Sequence, residues 1–469
     1  MYIKQERRGI CMRAMGIDIG TTTISVIMID KDSGKLLGSR SVPHNAFLKG
    51  PSDFNRIQDP EKLWRLSVRA AGEIIREYGK PDSIGMTGQM HGVLYVDEEG
   101  GAVSPLYTWQ DGSGNEFMED GRTYAQVLRE KAGAASAGYG MTTHFYLRKK
   151  GMIPEAARKM TTISDYIAMK LCGRGMPFIV RDMAASWGCY DLRKGDFYRK
   201  ELEESGADPE YLPELLDEHI IVGVTVENQE EGIPAGIPVS ASYGDNQASV
   251  LGAAGDISDT VLVNIGTGSQ VSFGTDSYLE TQGAIELRPF TKQSFLMAGS
   301  SLCGGRAYAM LEQFYREAAG EGKERYSLME EQARRFIEKY GKHEAWKIRT
   351  TFSGTRDNPE ETGSITGISP LNFHPGAMTI GMIQGILEEL YEMYEEMCCM
   401  TGKKAGRLVG SGNGIRRNAL MREMAEEMFR MPMTIPACEE EAAYGAALGS
   451  LVSAGLADTI AGIRPNSKN

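Results

Sequence analysis

Residues 16–23 read GIDIGTTT, a carboxylate (Asp18) followed by a glycine and three threonines, and residues 264–269 read NIGTGS. Two such loops, one carrying Gly20, Thr21, Thr22 and Thr23 and the other Gly266, Thr267 and Gly268, would clamp a single polyphosphate. Backbone N–H groups suit phosphate oxygens, and threonine hydroxyls add donors without bulk. Each loop also reads as an ordinary hairpin, with glycine supplying φ > 0 and threonine favouring strands. Their occurrence at matching places in two halves of the chain favours phosphate binding. Asp18, at the end of a strand facing phosphates, would organise Mg²⁺, directly or through water. Otherwise it is a turn aspartate bonding its own backbone. In SYGDNQASV (242–250), Asp245 stands among small uncharged residues just before a helix. There it is either an N-cap or the general base that takes the proton of an attacking hydroxyl.

Other stretches carry the chemistry of a polyol and a nucleotide. GQMHGV (88–93) places His91 between glycines at a strand end, and TWQDGSG (108–114) sets an indole, an amide and a carboxylate in succession on a loop. An indole face against C–H bonds, with amide and carboxylate partners for hydroxyls, is a common way to hold a sugar. A satisfied core histidine and a packing tryptophan are the plainer readings of His91 and Trp109. GSGNG (410–414) lies after a strand and before a helix, where glycines would let a flat ring approach the backbone and Asn413 would bond a base or ribose. A plain β–α turn fits the same residues.

The elements that must position these residues come in two series. MGIDIG, TISVIMID and KLLGSRSVP predict three strands, with KDSG turning between the second and third. Asp59 and Pro60 then open a helix whose Leu63, Leu66, Ala70 and Ile74 recur at helical spacing through Tyr78. SIGMTGQM and GVLYVDEEG predict further strands. The pattern restarts with VLVNIGTGSQVSFG, aligning Gly266 with Gly20 and Asn264 with Asp18. Helices are expected over 375–397, 415–429 and 439–455, the last with small residues on one face, and a strand over 407–412. Two halves of like plan predict duplicated domains around a cleft. The expected boundaries are an N-terminal tail at 1–13, a first domain at 14–254 and a second at 255–469.

Bulk properties limit the function classes. The 469 residues carry a net charge of −12, which argues against nucleic-acid binding. The seven cysteines form no CxxC pair, as expected of a reduced intracellular protein. No secretory signal or membrane-length apolar run is present, so the expected compartment is the cytoplasm. A homodimer is the default expectation for such an enzyme.

DIGTTT, GQMHG, TWQDG, GDNQAS, NIGTGS, GSGNG and AAYGAALGS occur here in the order found in the FGGY family of carbohydrate kinases, which the chain resembles from about residue 14 to 455. Within that family, TWQDG, YGDNQASV and the stretch 161–198 are most similar to members acting on a seven-carbon ketose, with pentulose kinases next. The resemblance implies an α/β fold of the actin-like ATPase type, two ribonuclease-H-like domains closing on a cleft. It also implies ATP and Mg²⁺, and a ketose as acceptor. Position by position, Asp245 would be the base and Asp18 would organise Mg²⁺. Gly20, Thr21, Thr22, Thr23, Gly266, Thr267 and Gly268 would contact phosphates, with Gly412 and Asn413 facing the adenosine. Gln89, Met90, His91, Trp109, Asp111 and Asn246 would line the sugar pocket. One position departs from the pattern. Ser25 stands where the family usually carries Lys or Arg, and Arg306 is a candidate substitute cation. A sugar or nucleotide sensor without catalysis, and a nucleotide-dependent assembly protein, are the rival readings of the same fold.

Overall fold

The computed structural model of the chain describes residues 12–460 and 463, apart from 256, 282, 292–293, 321, 356–357 and 359. The expected tail therefore lies outside the described residues up to position 11, and Arg13 already belongs to the first strand. The chain forms two compact units. Unit 1 takes the described parts of 1–255, 289–293 and 438–469, and unit 2 those of 256–288 and 294–437. The C-terminal segment thus joins the unit built by the N-terminal residues.

Unit 1 is built on a sheet whose first strands are β1 (Arg13–Ile19), β2 (Thr23–Asp30) and β3 (Leu36–Pro43). These run antiparallel, with Asp18 opposite Ser25. The helix α1 (Pro60–Tyr78) packs on β2 and β3 and begins where the sequence placed it. Asp59 accepts a hydrogen bond from the Lys62 amide at 3.0 Å, and Pro60 occupies the first turn. β4 (Ser83–Gly88) then lies parallel to β1. The short strands β5 (Pro238–Ser240) and β6 (Tyr243–Gly244) both run parallel to β4. Isoleucine, valine and methionine side chains of β1, β2 and β4 fill the core beneath α1.

Unit 2 repeats the plan. β7 (Thr260–Ile265), β8 (Ser269–Thr275) and β9 (Phe295–Ser301) are antiparallel neighbours. β10 (Arg407–Ser411) is parallel to β7, and β11 (Met433–Thr434) is parallel to β10. The two sheets share strand order and direction, which is the duplication expected from the two glycine–threonine hairpins.

Two elements differ from expectation. The helix expected over 415–429 is two helices, Gly412–Arg417 and Ala419–Phe429. The break falls at Asn418, which leaves helical geometry and caps the next helix by accepting from the Met421 amide at 2.9 Å. The helix expected over 439–455 forms as Glu441–Ser453, but it packs in unit 1 against β1, β4 and the helix Asp245–Ala253.

That packing is backbone against backbone. A Cβ at Gly16 would lie 1.8 Å from the Ala443 carbonyl oxygen, and one at Gly85 would lie 1.9 Å from that of Ala446. Gly252 and Gly445 stand 1.9 Å, on the same measure, from the carbonyls of Glu441 and Ala248. Regular secondary structure on both sides cannot yield to such an overlap. We therefore expect Gly445→Val to cost about 3 kcal/mol or more in urea unfolding. Gly322→Ala, where nothing lies within 4 Å, should stay within about 0.5 kcal/mol of wild type.

Candidate functional site

In unit 1, β1, β4 and β6 are parallel, and register aligns their ends. Asp18 and Tyr243 flank Thr87 from opposite sides, while Ile19 and Gly244 flank Gly88. The chain therefore leaves the sheet at one edge three times, as the turn after Ile19, as Gln89 to His91, and as Asp245. The carboxyl edge of such strands is the usual ligand edge of an open α/β sheet. Asp245 is the first residue of the helix α3 (Asp245–Ala253), following α1 and the short helix α2 (Arg181–Ser186). Gly244, not Asp245, takes the N-cap position. The half-buried Asp245 and Asn246 sit in the first turn, where the helix N-terminus favours negative charge.

Asp18 feels this convergence. Burial, followed by the nearby charges of Asp245 and Glu440, pushes its carboxyl up to about 8. Its Oδ1 is buried and has no hydrogen-bond partner among the described residues. An orphaned carboxylate oxygen among like charges suits a hard divalent cation. Among the described residues no group of three His, Cys, Asp or Glu side chains forms a metal cage. A cation at Asp18 would therefore complete its shell with water and phosphate oxygens, as Mg²⁺ commonly does.

The turn that follows is braced from behind. The Gly20 amide donates to the Thr23 carbonyl at 3.0 Å, and the His44 amide donates to the Thr22 carbonyl at 2.9 Å. His44 Nε2 donates to the Gly20 carbonyl at 3.1 Å, and Gln58 Nε2 donates to the Thr21 carbonyl at 2.8 Å. Gln89 Nε2 in turn donates to Gln58 Oε1 at 3.0 Å. Gly20 does not use positive φ. Its requirement is steric, since a Cβ there would lie 2.9 Å from the Thr23 carbonyl. His44 and Gln58 escaped the sequence reading. His44 lies in an ordinary-looking loop, and Gln58 in a two-residue strand too short to show periodicity.

Ser25 is buried opposite Asp18. Its hydroxyl meets that of Ser41 at 3.2 Å, and Ser41 donates to Glu440 Oε1 at 2.8 Å. Because the Ser41 proton is committed to Glu440, Ser25 is the donor to Ser41. A hydroxyl relay ending on a carboxylate thus occupies the position expected to hold a cation. Arg306 lies in unit 2, where its exposed residue donates its amide to the Thr267 carbonyl at 2.8 Å.

The sugar-facing candidates divide. Trp109 is 47% exposed and donates its indole N–H to Thr21 Oγ1 at 2.9 Å, joining the indole to the first glycine–threonine loop. His91 takes φ +69 and stacks on Tyr139 with centroids 4.6 Å apart. Its Nδ1 faces the Ser186 carbonyl at 2.6 Å, so that nitrogen carries the proton. Gln89 and Met90 are largely buried behind it. Asp111 is held by its own chain. It is 1% exposed, and Oδ2 accepts from Asn55 Nδ2 and the Arg56 amide, each at 3.1 Å. Oδ1 accepts from the Ser113 amide at 3.0 Å. The carboxylate ties two loops together and turns its oxygens toward chain donors.

In unit 2, Asn264 of β7 pairs with Ser411 of β10, and its side-chain amide donates to Ser411 Oγ at 2.7 Å. The Gly266 amide closes its turn on the Gly268 carbonyl at 2.9 Å. Gly412 takes φ +80 and approaches so closely that a Cβ would lie 2.5 Å from the Ile265 carbonyl. The GTG turn and the GSGNG segment are therefore neighbours, with Thr267 and Asn413 exposed at their tips.

Residues 13–252 match the N-terminal domain of the FGGY family of carbohydrate kinases, and residues 261–454 match its C-terminal domain. The chain is 29% identical to sedoheptulokinase of Homo sapiens, over 92% of this chain and 96% of that one. It is 23% identical to xylulose kinase of Staphylococcus xylosus, over 92% and 89%. Among solved structures, xylulose kinase from Rhodospirillum rubrum superposes with a TM-score of 0.81 at 20% identity, covering 95% of this chain and 90% of that one. Two matched domains on duplicated actin-like sheets, each with a glycine–threonine turn at the end of its first strand, place the chain in the FGGY family of carbohydrate kinases, as an ATP-dependent sugar kinase.

Proposed function

We propose that this kinase transfers the γ-phosphoryl group of ATP to the terminal hydroxyl of a ketose, with sedoheptulose giving sedoheptulose 7-phosphate. The observation that carries the ketose is the match to sedoheptulokinases over nearly the full length of both chains. The convergence of Asp18 and Asp245 at one sheet edge supports the chemistry. Asp245, in the first turn of α3, accepts the proton of the sugar hydroxyl while its oxygen attacks phosphorus and ADP departs. Asp18 is the residue that would hold Mg²⁺, which when bound would supply neutralising charge for the phosphates. Thr21, Thr22, Thr23, Thr267 and Gly268 bind phosphate through backbone amides and hydroxyls, while Gly20 and Gly266, whose own amides close their turns, shape the two loops. Gly412 and Asn413 face the adenosine. Met90, His91, Trp109 and Asn246 bind the sugar, with Gln89 bracing from behind. Asp111 acts by holding the Trp109 loop to the Asn55–Arg56 segment. A pentulose is the second reading, supported by the xylulose kinases among the relatives.

ADP release measured across a panel of ketoses tests the assignment. The highest kcat/KM is expected on sedoheptulose, about tenfold or more above xylulose or ribulose. The reverse order makes the protein a pentulose kinase, and no sugar-stimulated release makes it a sensor. Asp245→Asn is expected to lower kcat by about 10³-fold while ATP binding, followed by calorimetry, is retained.

Asp18 gives a pH prediction. Its folded carboxyl lies near 8 against an ordinary value of 3.8, so the unfolded chain ionises first as pH rises. Stability of the metal-free protein is therefore lost between about pH 4 and pH 8. Asp18→Asn removes that loss. In thermal melts without Mg²⁺, the variant should exceed wild type by several degrees at pH 8, with the gap closing toward pH 5, while its kinase activity falls by at least about 10²-fold.

A further inference from the structure

We infer that α2, the six residues Arg181–Ser186, is a bracket that sets the base and the sugar-facing histidine together, with Asp182 and Ser186 as its positioning residues. The inference rests on the reading of Asp245 as base and His91 as a sugar ligand. At the first turn of α2, the Asp182 side chain is fully buried. Its Oδ2 accepts from the Gly244 amide at 2.9 Å, one residue before Asp245. Its Oδ1 accepts from the Met183 amide at 2.9 Å and lies 3.3 Å from His219 Nε2. The His219 ring lies flat on Tyr243, with centroids 3.7 Å apart and planes at 6°. Ser453 of the closing helix donates to the His219 carbonyl at 2.5 Å. The Gly244 amide just ahead of Asp245 is thus gripped by a charge-assisted hydrogen bond to α2, and Tyr243 before it is flanked by a stacked ring.

The other end of α2 holds His91. The Ser186 carbonyl accepts from His91 Nδ1 at 2.6 Å, and Ser186 Oγ accepts from the His91 amide at 3.1 Å. Ser186 Oγ donates in turn to the Met183 carbonyl at 2.7 Å, which fixes its rotamer. These two bonds over-determine the positive φ of His91, a conformation that a side-chain-bearing residue keeps only when its surroundings impose it. Asp182 and Ser186 are four residues apart, roughly 6 Å along a helix. One rigid turn therefore carries the anchor of the proton acceptor and the anchor of the sugar contact, so their separation does not depend on loop motion.

The two anchors should fail in different kinetic constants. Steady-state ADP release with varied ketose, accompanied by thermal melts, is measured for Asp182→Ala, Asp182→Asn and Ser186→Ala. Asp182→Ala is expected to lower kcat by about 10²-fold, the scale of a small misplacement, with ketose KM within about twofold. Asp182→Asn keeps an acceptor for the Gly244 amide but loses the charge, and should lower kcat by only about tenfold. Ser186→Ala keeps the carbonyl bond and loses the hydroxyl one, and should raise ketose KM about fivefold with kcat within about threefold. In an Asp245→Asn background, Asp182→Asn should cost nothing further. A folded Asp182→Asn enzyme with wild-type kcat, beside an inactive Asp245→Asn, overturns the bracket. A full additional loss in the Asp245→Asn background, or a Ser186→Ala effect confined to kcat, also overturns it. Wild-type turnover of Asp245→Asn itself overturns the base assignment and the Asp182 anchor with it.

Discussion

The site in unit 1 depends on the closeness with which the C-terminal helix Glu441–Ser453 approaches its neighbours. Gly16 on β1, Gly85 on β4 and Gly252 on α3 each present bare backbone to that helix, and Gly445 on the helix presents bare backbone to α3. The parts held this way are those to which the proposed chemistry is assigned: β1 ends at Asp18 and its turn, β4 leads into Gln89 to His91, and α3 begins at Asp245. The residue just before the helix, Glu440, is one of the charges that raise the Asp18 carboxyl. Packing and electrostatics are coupled here, because the contact that secures the strands also brings a third acid to the site.

Such a concentration of negative charge is unfavourable in the folded protein alone. Burial first, and then that charge, raises the Asp18 pKa, and among the described residues its Oδ1 has no hydrogen-bond partner. The structure does not relieve it with a cation at position 25, where Ser25, Ser41 and Glu440 form a hydroxyl relay instead. On the proposed reading a bound cation supplies the missing charge, and native stability is lowered for the sake of affinity.

The two halves show one plan adapted to different work. Both place a glycine–threonine turn after the first strand of a five-strand arrangement of the same order. In unit 1 the turn's carbonyls are held from behind by His44 and Gln58, while Thr21 receives the Trp109 indole. In unit 2 the turn is gripped by the first turn of the helix Gly304–Ala318, through the Arg306 amide, and flanked by Gly412. The strand-end residue is an acid in one half, Asp18, and an amide in the other, Asn264. At this position the first half therefore offers a charged oxygen and the second a neutral amide.

Periodicity and capping residues were enough to locate the first three strands, α1 with its Asp59 cap, and both hairpins, because those signals are local. Motif order was enough to identify the family, and it is the source of the proposal that Asp18, Asp245 and the glycine–threonine turns act on substrate. The sequence could not show that Asp111 spends its oxygens on Asn55, Arg56 and Ser113, or that Asn418 breaks a helix to cap the next. Nor could it show that His44 and Gln58 stand behind the phosphate turn. Those outcomes rest on contacts between residues far apart in the chain, and no periodicity marks them. The closing helix makes the same point. Its small residues were visible in AAYGAALGS, but the partners that require them, Gly16, Gly85 and Gly252, lie roughly 190 to 430 residues earlier, and only the folded chain brings those backbones close enough to exclude a side chain.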